Sequence, residues 1–121
     1  MSIRPINREE TAIRVLAEPE FIPVEDNASA SGDDDFDRKV EHTILCRLQQ
    51  GDIWAWAAVT VVVRWGPFEG ISHLGCCSYL DEKDFRQPGG YFDDMVNEAL
   101  EELNRKVNEA YQQIKERKKA A

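Results

Sequence analysis

The run Trp54-Ala-Trp-Ala-Ala-Val-Thr-Val-Val-Val-Arg-Trp65 constrains the fold more than any other part of the chain. Its side chains are β-branched, aromatic or small, with one charge at Arg64. Such a run suits a strand with apolar residues on both faces. Alternation puts Trp54, Trp56, Ala58, Thr60, Val62 and Arg64 on one face and Ala55, Ala57, Val59, Val61, Val63 and Trp65 on the other. Small side chains at 55 and 57 favour close approach of a helix, so the odd-numbered face is expected to meet the helices. Trp54 and Trp56 then need a different cover. Either N-terminal segments supply it, or the two indoles form an interface, because a large exposed apolar patch usually marks one.

Helical periodicity surrounds this strand. Phe36, Val40, Ile44, Leu45 and Leu48 recur at helical spacing and predict a helix over about 34–50. Asp33 is placed as its N-cap, acidic residues fill its first turn, and Gly51 stands where a C′ glycine belongs. A second, longer helix is expected over about 91–118, with Phe92, Met95, Val96, Ala99, Leu100, Leu103, Val107, Ala110, Tyr111 and Ile114 as its apolar stripe. Asp93 and Asp94 open it and a basic cluster closes it, as the helix dipole prefers.

The remaining elements are shorter. Gly66-Pro-Phe-Glu-Gly70 has turn composition, so residues 71–79 are read as a returning strand. Asp81–Phe85 is read as a single helical turn, 11–17 as a strand, and Phe21-Ile-Pro-Val24 as a second short edge segment interrupted by proline. Asn7-x-x-Glu10 has capping-box spacing. The expected architecture is an α+β two-layer sandwich. It has an antiparallel sheet with a long central strand at about 53–65, and helices at about 34–50 and 91–118 on one face. One domain spans residues 1–121, with 1–32 forming N-terminal edge strands and an acidic loop.

Charge narrows the partners. The net charge is −8, which disfavours nonspecific attraction to nucleic acid or to anionic membrane. Acid is concentrated early: residues 1–37 hold ten acidic and three basic side chains. Residues 105–121 hold six basic and two acidic ones. The longest apolar run is about ten residues, short of a bilayer span. Three cysteines, two of them adjacent, fit reduced thiols in a cytoplasm better than a disulfide framework.

Catalytic and cofactor patterns are weak. His42 and Cys46 have i, i+4 spacing, but the helical wheel turns both away from the apolar stripe and from Cys76 and Cys77. His73 lies four residues from Cys77, about 13 Å along a strand and beyond hydrogen-bond reach. Asp33-x-Asp35-x-Asp37 begins like a calcium loop, but Arg38 replaces the turn glycine and Ile44 the bidentate glutamate. No glycine-rich phosphate loop is present, and Asp93 and Asp94 would repel an anion at Pro88-Gly-Gly90. No enzyme activity, metal or cofactor is therefore expected. The candidate interface residues are Trp54 and Trp56 with Asp33, Asp34, Asp35 and Asp37, whose carboxylates could engage a basic surface.

Five segments taken together resemble a family of small proteins encoded by tailed bacteriophages and prophages. They are Ala28-Ser-Ala-Ser-Gly-Asp-Asp33, Arg47-Leu-Gln-Gln-Gly-Asp-Ile-Trp-Ala-Trp-Ala57, Leu74-Gly-Cys-Cys-Ser-Tyr79, Asp84-Phe85 and Gly90-Tyr-Phe-Asp-Asp-Met95. The resemblance covers about 25–107 and implies a genomic context without a mechanism. The function expected from it is noncatalytic binding in the host cytoplasm, most concretely of a host protein such as a defence component. The alternatives are a self-associating accessory protein, a homodimer included, and a small-molecule binder with a pocket at Tyr79, Arg86 and Tyr91.

Overall fold

The computed structural model describes residues 3–120. A 3-10 turn at Arg8–Glu10 leads into strand β1, Ala12–Pro19. The Glu10 carboxylate accepts from the Asn7 N–H at 2.7 Å, as the capping-box spacing predicts. Helix α1 follows at Asp34–Gln49, then strands β2, Ala57–Trp65, and β3, Phe68–Cys77. The short helix α2 occupies Glu82–Phe85 and the long helix α3 Tyr91–Ala120. The fold is α+β, with an antiparallel sheet in the order β1-β2-β3 and α3 packed on it.

Local chemistry sets most boundaries. Asp33 caps α1 by accepting from the Phe36 N–H at 3.2 Å. At the other end Gly51 takes φ +85°, and its N–H donates to the Leu48 carbonyl while that of Asp52 donates to Arg47. This Schellman arrangement needs a residue free to enter the left-handed region. Trp65 pairs with Phe68, so the hairpin turn is Gly66-Pro67 alone, with Gly66 at φ +56°. A two-residue turn of that kind requires glycine first. The returning strand consequently starts at Phe68, earlier than the expected 71.

The odd-numbered face of β2 does meet a helix. Val59, Val61 and Val63 are almost fully buried, together with Val15 of β1, against Phe92, Met95, Val96, Ala99, Leu103 and Val107 of α3. Gly70 makes this contact close. A Cβ there would lie 1.7 Å from the Ala99 carbonyl oxygen. The Lys106 ammonium donates to the Glu69 carbonyl at 2.8 Å, so α3 runs alongside β3.

Three further elements differ from the sequence expectation. The central strand begins at Ala57 rather than 53, because Ile53–Ala55 folds into a 3-10 turn. That turn lets Trp54 pack its ring against Tyr79 and Phe85, with centroids 6.5 and 5.7 Å away, an aromatic group no local pattern encodes. Arg47 fixes the turn from outside by bonding Asp52 at 2.8 Å and the Tyr79 carbonyl at 2.6 Å. Helix α1, for its part, packs away from the residues under α3. Its Val40, Ile44 and Leu48 gather with Val24, Ala55 and Trp56 in a second apolar group. Phe21–Val24 is not a strand: Val24 is buried in that group while Phe21 is 94% exposed.

Candidate functional site

Trp54 and Trp56 do not form an exposed pair. Trp56 is 3% exposed, and its indole N–H donates to the Ile22 carbonyl at 2.6 Å. The extended segment around Ile22–Val24 and the face of α1 cover it. Trp54 is half-buried in the aromatic group with Tyr79 and Phe85. The expected interface role of the two indoles therefore gives way to a structural one: the N-terminal segment covers Trp56, while Trp54 packs with Tyr79 and Phe85 on the side of α3.

The acidic residues divide into two kinds. Asp33 and Asp37 hold the loop. Asp37 accepts from the Ser29 hydroxyl at 2.7 Å, the Ser31 hydroxyl at 2.8 Å and the Ser31 N–H at 3.1 Å. These donors, Ser29 first, hold its carboxyl below the usual range. Asp34 and Asp35 are exposed on the first turn of α1 and bond to no side chain among the described residues. Phe36, expected in the apolar stripe, is instead 53% exposed beside them.

Glu41 takes an inward place on α1. It is 6% exposed and accepts from the Asp26 N–H at 3.1 Å, which ties the loop down over the helix. Periodicity assigned Glu41 no role, since its partner is a backbone group fifteen residues away. The loop is thus an ordered frame, anchored by Glu41 and Asp37, that presents Asp34, Asp35 and Phe36 to solvent.

A second feature is the end of β3. Ala57 pairs with Cys77 but Val59 with Leu74, so Gly75–Cys76 forms a bulge, with Cys76 at φ +55°. The Glu20 carboxylate holds it by accepting from the Cys76 N–H at 2.8 Å, and it also accepts from the Ile22 N–H at 3.1 Å. Those two donors, Cys76 first, lower the Glu20 pKa. An open cleft of about 330 Å³ lies here, lined by residues including Trp56, Cys76, Ser78, Tyr79 and Tyr91. Tyr79 and Tyr91 therefore come together as expected of a pocket. Arg86 does not join them; its guanidinium sits over the Phe92 ring, 5.1 Å from the centroid.

Burial disfavours the thiolates of Cys76 and Cys77. Burial pushes the Cys77 thiol up to about 11, so it stays protonated at neutral pH. Burial also raises Cys76. His73 is not near Cys77: its ring bonds the Thr60 hydroxyl at 2.9 Å on the exposed face, while Cys77 is in the core. His42 and Cys46 do meet, 3.5 Å apart on α1. Among the described residues no group of three or more His, Cys, Asp or Glu side chains is placed to hold a metal. No helix among them is long and apolar enough to cross a membrane.

Comparison of the chain with protein-family models, with curated proteins and with solved structures returns no match.

Proposed function

We propose that this chain is a noncatalytic bacteriophage or prophage protein that acts by binding a host-cell protein, with the α1 entrance as the contact surface. One observation carries the reading: Asp34, Asp35 and Phe36 are exposed together on a turn whose loop is fastened by Asp37 and Glu41. Carboxylates held in an ordered frame lose little freedom on binding, which favours affinity. They also steer a basic partner toward the adjacent aromatic ring. The phage-family resemblance of residues 25–107 supplies the host context, and a defence component is the concrete target.

The test is affinity capture from bacterial lysate with tagged protein, at low and high salt, read by mass spectrometry. A single host protein recovered near one-to-one, lost at high salt and lost from D34K/D35K, supports the reading. Absence of any host protein bound at micromolar concentration removes it. A self-associating accessory role is the second reading, and what favours it is the outer edge of β1, which pairs with no strand among the described residues.

A further inference from the structure

The two edges of the sheet are treated differently. The outer edge of β3 is closed by α3. Lys106, paired with Glu102 at 3.0 Å, donates to the Glu69 carbonyl at 2.8 Å. Farther along, the bulge at Gly75–Cys76 breaks that edge and Glu20 occupies the Cys76 N–H. These are the devices by which an edge strand avoids pairing. The edge of β1 carries neither a covering helix nor a bulge, and its one such device, Pro19, stands at the end of the strand. Its strand partner among the described residues is β2 alone.

The register shows which β1 groups are free. The Glu20 N–H donates to the Trp56 carbonyl, one step beyond the Pro19–Ala57 pair. Bonded pairs alternate in an antiparallel ladder. The even-numbered residues of β1 therefore turn their N–H and C=O groups toward β2, and Ile13, Val15, Ala17 and Pro19 turn theirs outward. Pro19, which has no N–H, falls in the outward set, where no ladder bond is lost.

We infer that β1 pairs antiparallel with β1 of a second copy of this chain across a two-fold axis at Leu16, joining two sheets into one. Side chains dictate this register. Arg14 and Glu18 stand symmetrically about Leu16 on the open face, where Leu16 is 38% exposed. An axis at Leu16 sets Arg14 against Glu18 of the second copy, twice, around a central Leu16–Leu16 contact. The same register sets Val15 against Ala17 of the second copy, both with outward backbone groups. Their N–H and C=O groups bond reciprocally, and the Ile13 N–H meets the Pro19 carbonyl of the second copy. A register shifted by one residue would put side chains on opposite faces, and a shift by two would set Arg14 either against Leu16 or against Glu20, whose carboxylate is already held by the Cys76 and Ile22 N–H groups. Opposite charges directly across a non-bonded antiparallel pair are favourable and like charges unfavourable.

The test is sedimentation velocity of the full chain over a concentration series from micromolar to millimolar, with far-UV circular dichroism as the folding check. The wild type is expected to shift reversibly from 13.9 kDa to twice that mass. E18R and R14E each set like charges against each other twice and are expected to weaken the dimer roughly tenfold to a hundredfold. The double variant R14E/E18R restores the pairing with signs exchanged and is expected to return near wild-type affinity. Both positions are exposed, so all three variants should fold. A monomer at every concentration overturns the inference. So does a dimer indifferent to the single reversals, or a double variant no tighter than the singles.

Discussion

Replacing Gly70 with alanine tests whether α3 is seated directly on β3. A Cβ at this position would stand 1.7 Å from the Ala99 oxygen, 2.7 Å from the Ala99 carbonyl carbon and 2.9 Å from the Leu103 nitrogen. All three are helix backbone, so no side-chain rotation relieves the clash. An ordinary carbon–oxygen contact is about 3.3 Å, so α3 must withdraw by roughly 1.5 Å. A gap of even ~1 Å forfeits up to half of the dispersion well for each facing atom. The residues that would separate, Val96, Ala99 and Leu103 from Val61 and Val63, are all fully buried. Overpacking against rigid backbone with loss of such contacts costs about 3–5 kcal/mol. That is a large fraction of the ~6–18 kcal/mol expected for a domain of this length. Urea unfolding followed by tryptophan fluorescence measures it. Gly90→Ala is the control, because its Cβ would meet only the Gln87 carbonyl oxygen, at an ordinary 3.7 Å. A G70A variant within ~1 kcal/mol of wild type, or no less stable than G90A, refutes the close seating.

Other outcomes follow from the same contacts. Trp56→Phe keeps most of the ring but strands the Ile22 carbonyl, which accepts the indole N–H at 2.6 Å. A loss of about 1–3 kcal/mol in urea unfolding is expected, with faster hydrogen exchange across residues 22–28. Glu20 is held below its ordinary pKa by the Cys76 and Ile22 N–H groups, so its ionised form favours the folded state. That stability is fully present above the unfolded pKa of about 4.3 and is lost as pH falls through the folded value. Glu20→Gln should flatten the acid limb of a stability-versus-pH curve, and an unchanged limb would contradict the assignment. With its pKa near 11 and 4% exposure, Cys77 should resist thiol reagents at pH 8 in the native protein. Mass spectrometry should find it modified only after unfolding, with Cys46 labelled first.

Features with local causes were legible in the sequence. The Asp33 cap, the Gly51 terminus of α1, the single turn of α2 and the stripe of α3 as far as Val107 each depend on residues within a turn or two of one another, whereas Ile114, expected in that stripe, is 66% exposed. Features with distant causes were not. Residues 53–55 have strand composition, yet the ring contacts of Trp54 with Tyr79 and Phe85 and the Arg47 bonds hold them in a 3-10 turn. Glu41 is buried because its carboxylate accepts from the Asp26 N–H of the loop and pairs with Arg38, while Phe36, one turn before the stripe residue Val40, stays exposed. The same holds for the candidate surface. Composition pointed to Asp33–Asp37 as a group, but only the Ser29 and Ser31 bonds separate the structural Asp37 from the free Asp34 and Asp35. Trp56 could be recognised as needing cover; that Ile22 supplies it depends on a contact across thirty-four residues.

The most direct test of the binding role is affinity capture with wild type and D34K/D35K run side by side, because these substitutions touch no internal contact. One host protein is expected to be retained by the wild type near one-to-one at low salt, weakened by added salt as exposed charge pairs are screened, and absent from the variant lane. A host protein retained equally by both chains would contradict the assignment of the α1 entrance as the contact surface, and no retained host protein would contradict the binding role itself.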